Sequence, residues 1–152
     1  MTAVNHAVTG AVIAAVIKQP ILALPLAFLS HFACDMLPHF GYKDNVDFGT
    51  ALKHRLTKYV VAIDPILFIG LLILLWHYSA GFWVYAAAFV AITPDFEWAL
   101  AYYGYERRGK KAWRSIFAEF HSNIQKYERV WGVFIELAWY GGGMWLLSAL
   151  LR

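Results

Sequence analysis

Charge is what this sequence has least of. Only 15% of its 152 residues are Asp, Glu, Lys or Arg, against about 25% in a typical soluble domain. None falls within residues 1–17, and none in the thirty residues between Asp64 and Asp95. In their place the chain is 61% hydrophobic and 18% aromatic. That balance predicts an all-α, polytopic membrane helical bundle rather than a soluble globule. A single cysteine, Cys34, excludes an internal disulfide and leaves the compartment open. No basic n-region precedes the first apolar run, so no cleavable signal peptide is expected. There is no internal repeat and no low-complexity tract, and the length suits one transmembrane domain over 1–152.

Polar punctuation divides the chain into five expected spans. The first, 1–17, is rich in Ala and Gly, which suits close packing at the centre of a bundle. Lys18-Gln19-Pro20 turns into a second span over 20–40, and polar residues fill 41–58. Spans three and four cover about 59–78 and 82–103, joined at Ser79-Ala80-Gly81 and interrupted by Asp64-Pro65 and Thr93-Pro94-Asp95. In 104–129, Trp113, Ile116, Phe117, Phe120, Ile124 and Tyr127 recur at helical spacing amid seven basic residues. This predicts an amphipathic interfacial helix over 111–127. A fifth span, about 130–151, carries Glu136 and Gly141-Gly142-Gly143.

Five spans put 41–58, 104–129 and the N-terminus on one side. That side holds eleven of the thirteen Lys and Arg residues, leaving Lys18 and Arg152 opposite. The positive-inside rule then predicts a multi-pass inner-membrane protein with a cytoplasmic N-terminus. The net charge of +3 is accounted for by topology and anionic headgroups, so nucleic acid is not an expected partner and membrane lipids are.

The few ionisable groups within the spans fall at one expected depth, roughly 5–15 Å from the inner surface at 1.5 Å per residue. They are His6, His31, Asp35, Asp64, Asp95, Glu97 and Glu136, with His39 at the mouth of the second span. A charge inside a bilayer costs about 2.5–3.5 kcal/mol on insertion scales, so carboxylates without a partner are hard to retain. No Lys or Arg lies inside any span, which leaves protons or a metal ion to neutralise them. His31-x3-Asp35 stacks an imidazole above a carboxylate on one helix face, a usual start of a zinc site. His39 continues that spacing beyond Pro38, and His121 on the interfacial helix is placed to cap the group. The expected metal ligands are therefore His6, His31, Asp35, His39, Asp95 and His121. Asp64 and Glu97 are the carboxylates available as a general base. His77, beside Trp76 and Tyr78, suits an aromatic belt, and His54 a loop.

At His31-x3-Asp35-x3-His39, with Leu37-Pro38 between, the chain resembles the YdjM-like integral-membrane metal-dependent hydrolases of bacteria and archaea. More distantly it is similar to zinc-dependent phospholipase C and the related single-strand nucleases. The resemblance covers about the first forty residues. It implies a helical bundle whose H-x3-D helix gives two zinc ligands, with His6 as an N-terminal ligand. The H-x3-E ligand pair of those soluble enzymes is absent here. Two functions follow as expectations. One is a hydrolase using zinc, or manganese in second place, on a lipid or amphiphile phosphoester at the inner leaflet. The alternative is a non-catalytic membrane protein that binds or transports metal ions.

Overall fold

A computed structural model describes residues 1–42, 48–104, 106–109 and 115–152, and most of the described chain is helical. Eight helices are present among the described residues: α1 (Ala3–Ile17), α2 (Pro20–Asp35), α3 (Phe48–Ala51), α4 (Arg55–His77), α5 (Phe82–Ile92), α6 (Phe96–Gly104), α7 (Ile116–Ile124) and α8 (Gly132–Leu151). A 3₁₀ turn at Thr93–Asp95 joins α5 to α6, so that Phe82–Gly104 runs as one continuous helical stretch. Pro94 accounts for the local change from α to 3₁₀ geometry, because its ring removes a backbone donor and crowds the preceding turn. Two-residue strands β1 (His39–Phe40) and β2 (Glu128–Arg129) pair in parallel, His39 opposite Glu128.

Helix α1 is the axis, packed against α2, α4, α5 and α8. Its small residues make this possible. Ala7, Gly10, Ala11, Ala14 and Ala15 are all buried, and they meet Ala87, Ala88 and Ala91 of α5 in the same core. At Gly10 an added Cβ would lie 2.4 Å from the Ala87 carbonyl oxygen, so the two backbones touch. Of the glycine triplet in α8, Gly143 faces Val8, whereas Gly141 and Gly142 have open space.

Three helical stretches are long and apolar enough to cross a membrane: Arg55–His77, Phe82–Gly104 and Gly132–Leu151. Their outward faces are apolar, with Ile66, Ile73 and Trp76 on α4 and Phe134 and Trp145 on α8 exposed. Five spans were expected, and α1 and α2 are the difference. At 15 and 16 residues they reach only about 22–24 Å, short of a hydrocarbon core of about 30 Å. The expected 111–127 helix is also shorter. Among the described residues it runs from Ile116 to Ile124, 111–114 lying outside them, and beyond Gln125 the chain turns extended to pair with β1.

The α1–α5 contact is a test of the packing. Gly10→Ala should destabilise the detergent-solubilised protein by about 1–3 kcal/mol, the usual penalty for overpacking. Gly141→Ala, with nothing within 4 Å of the added methyl, should be neutral or stabilising. Thermal melts of the two variants beside wild type measure the difference.

Candidate metal centre

Three helices and the 3₁₀ turn deliver the site. His6 lies one turn into α1, His31 and Asp35 form the last turn of α2, Asp95 ends the 3₁₀ turn, and His121 comes from α7. His6, His31, Asp35 and His121 are fully buried, while the Asp95 side chain is 27% exposed. Each neighbour fixes a ring. His6 stacks on His31 with centroids 3.8 Å apart. Phe32 meets Phe117, Phe120 and His121 edge-on, which keys α7 onto α2.

The donor atoms converge. His121 Nε2 is 2.7 Å and His31 Nε2 3.3 Å from Asp35 Oδ2, and the two imidazole nitrogens are 3.1 Å apart. His6 Nε2 lies 3.2 Å from Asp35 Oδ1, which also receives the Met1 amine at 2.5 Å. His31 Nε2 is 3.5 Å from Asp95 Oδ1. Two overlapping sets result, His31-Asp35-His121 and His6-His31-Asp95, each with its ligand atoms within 4.8 Å of one another.

The tautomer of His31 decides what these contacts mean. Its Nδ1 is 2.8 Å from the Ala91 carbonyl oxygen, which can only accept, so that nitrogen carries the proton. In the neutral ring Nε2 then presents a lone pair to Asp35 and Asp95, both acceptors. Only a shared proton or a cation reconciles them. Contacts of 3.3–3.5 Å equal the edge of a tetrahedron with metal–ligand bonds of about 2.0–2.2 Å. The 2.7 and 3.1 Å contacts are hydrogen-bond lengths. Fixing the ring through its second nitrogen is also how histidine ligands are oriented at metal sites. Three buried ring nitrogens of the cluster, His6 Nδ1, His6 Nε2 and His121 Nδ1, have no hydrogen-bond partner among the described residues.

Three expected site residues stand apart. The helix ends at Asp35, and Pro38 sends the chain into β1, so His39 leaves the His31–Asp35 face. Its Nδ1 bonds the Leu37 carbonyl at 2.7 Å and its Nε2 is 3.8 Å from Glu128. Asp64 Oδ1 accepts the Val4 N–H at 3.1 Å. Glu97 accepts the Ser115 hydroxyl, its other oxygen lacking a described partner. None of the three belongs to either donor set. His77 packs edge-on against Tyr78 and His54 stacks on Tyr42.

The same end of the bundle reveals how two other carboxylates are accommodated. Glu136 Oε2 accepts the Thr2 N–H at 3.1 Å, and its Oε1 accepts the Phe40 N–H at 3.0 Å. Together with Asp64 it satisfies backbone donors at the N-terminus of α1, where the helix dipole also favours negative charge. Thr2 supplies no side-chain cap. Residues that the sequence reasoning passed over also matter. Gln125 donates to Asp35 Oδ2 at 3.1 Å, one turn after His121, a spacing visible in the sequence.

Beside the cluster opens a cavity of about 610 Å³, lined by Asp95, Asp64, His39, Trp98, Ser122 and Gln125 among others. It gives the partly exposed Asp95 access to a ligand. No protein-family model, no curated protein and no solved structure matches the chain.

Glu136 offers a direct test. Glu136→Gln keeps one acceptor and should cost about 1–3 kcal/mol; Glu136→Leu leaves the Thr2 and Phe40 donors unpaired and should cost more. Melting in detergent ranks them. Equal stability of Glu136→Leu and wild type would remove the capping role.

Proposed function

We propose that the chain is a multi-pass membrane protein with a divalent metal centre that hydrolyses a lipid or amphiphile phosphoester. The observation that carries the reading is the approach of His31 Nε2 to two carboxylates, next to a cavity large enough for a headgroup. His31, Asp35 and His121 are the core ligands, with His6 and Asp95 completing the set. Zinc suits this nitrogen-and-carboxylate donor set best, and manganese is second. A divalent ion there supplies Lewis acidity, lowering the pKa of water toward about 7 and polarising a phosphoryl oxygen.

The chain's own residues do the rest. Gln125 holds the Asp35 carboxylate, and the Ala91 carbonyl holds the His31 tautomer. Asp64, on the cavity wall but outside the cluster, is the carboxylate placed to accept a proton. Glu97, tied to Ser115, is the weaker candidate. His39 lines the cavity and serves substrate rather than metal. The resemblance to integral-membrane metal-dependent hydrolases points the same way. In this reading α1 and α2 cross a locally thinned bilayer with the three longer spans, and α7 lies at the inner interface.

Metal analysis is the first test. Zinc affinity should fall at least about hundredfold in Asp35→Asn and His121→Ala, since even residues supporting a ligand are worth 10–100-fold. Glu97→Gln should leave it unchanged. Phosphate release from detergent-solubilised phospholipids, with zinc or manganese added, then tests catalysis. Asp64→Asn should lose turnover while keeping metal. A metal-replete wild type inert on every phospholipid and isoprenoid phosphate supplied would leave the non-catalytic metal-binding reading in its place.

The topology is checked separately. In a Cys34→Ala background, an impermeant thiol reagent added outside intact cells should label Lys18→Cys and miss Lys126→Cys. The opposite pattern inverts the orientation.

A further inference from the structure

Helix α7 presents two chemically different sides. At about 100° per residue, Ile116, Phe117, Phe120 and Ile124 fall within one arc of about 100°. Glu119 and Asn123 flank that arc on one edge, and His121 lies beyond the other. Within the arc Ile116 and Phe120 are each more than half exposed, and Phe117 is partly so. The surrounding stretch, 104–129, carries seven Lys and Arg residues against three Glu. Of the basic ones, Arg107, Arg108 and Lys126 are exposed. An apolar stripe in a basic setting fits an anionic lipid surface, which takes up the apolar side chains and attracts the charge.

The inner side of the same helix belongs to the cluster. His121 Nε2 lies 2.7 Å from Asp35 Oδ2, and Gln125, just past the helix end, donates to that oxygen at 3.1 Å. The remaining donors sit on elements that support one another, since His6 and His31 ride on α1 and α2, which pack together and on α5. Helix α7 has thinner support. It rests on Phe32 of α2 and on Trp98 and Glu97 of α6, the last accepting the Ser115 hydroxyl. Nine residues do not hold a helix by themselves, so an environment that buries the outer stripe favours the seated helix. Resting on the metal-centre reading above, we infer that α7 docks on an anionic bilayer surface and that this docking seats His121 in the centre. Docking and zinc binding are then reciprocal, each strengthening the other by the same factor.

The experiment places the full chain in nanodiscs of phosphatidylcholine, with and without phosphatidylglycerol. A bimane label on Ile116→Cys, in a Cys34→Ala background, should be quenched by brominated acyl chains, and more strongly when phosphatidylglycerol is present. Zinc affinity is then measured against a competing chelator in both nanodiscs. Any anionic surface concentrates zinc, so His121→Ala supplies the reference for that effect. The gain in affinity on adding phosphatidylglycerol should be larger in wild type than in His121→Ala by at least about fivefold, the lower end of ordinary coupling between sites. Ile116→Asp keeps every donor and should lose that excess. A label that brominated chains reach in neither nanodisc overturns the inference and leaves the outer face of α7 to water or a protein. Equal gains in wild type and His121→Ala overturn the seating of His121 by the bilayer. A quenched label on a chain that binds zinc in neither nanodisc supports the docking of α7 and sinks the metal-centre reading on which the seating rests.

Discussion

An α-helix that starts inside an apolar bundle must find acceptors for its first N–H groups, and the rest of this molecule depends on how α1 does so. Asp64 from α4 accepts the Val4 N–H, and Glu136 from α8 accepts the Thr2 N–H. Those bonds bring both partner helices to the axial end of α1. Glu136 reaches further, to the Phe40 N–H, and so anchors β1 beneath α8. The fit is tight there: an added Cβ on Gly132 would fall 2.1 Å from the His39 carbonyl carbon. With α1 pinned, His6 is set one turn in, where it stacks on His31. Charge, which is scarce in this chain, is spent first on backbone donors.

That use of carboxylates marks the limit of what residue types reveal. The shared depth of Asp35, Asp64, Asp95 and Glu136 was legible because so few charges interrupt the apolar runs. The i, i+4 spacing of His31 and Asp35 was legible for the same geometric reason, and their 3.3 Å contact follows from it. The partition of those carboxylates was not. Backbone N–H groups are identical in every residue but proline, so nothing in the sequence names Asp64 and Glu136 as caps. Reasoning from side chains alone assigned all four to cations, although two are compensated by the main chain. His39 misled in another way. Its spacing continues the motif, but a proline before it ends the regular geometry that gives spacing a meaning.

The expected span count parts from the helix lengths for a reason tied to the same end of the bundle. The apolar run of 20–40 continues past the helix, because Met36, Leu37 and Phe40 are apolar without being helical. Hydropathy measures what a segment tolerates around it, whereas the length of a crossing is set by rise per residue. Helices α1 and α2 are thus apolar enough but shorter than a straight crossing of a full-thickness core. Their shortness has a structural counterpart: the chain after α2 leaves as β1, pairs with β2, and carries α7 back over the cluster.

Helix α7 is where fold and chemistry join. One face carries His121 and Ser122, with Gln125 just beyond the helix end, toward the buried site and its cavity, and the other exposes Ile116, which is 89% accessible, and Phe120. A donor contributed by so short an element cannot rely on that element's own stability, since nine residues are too few for a helix to persist alone in water. Its position is held instead by Phe32, which meets Phe117, Phe120 and His121 on three edges, and by the β1–β2 pair at its far end. Phe32 follows His31 directly in α2. The helix that provides two of the cluster's donors therefore also provides the aromatic seat for a third, and a shift of α7 would open the centre and the cavity together.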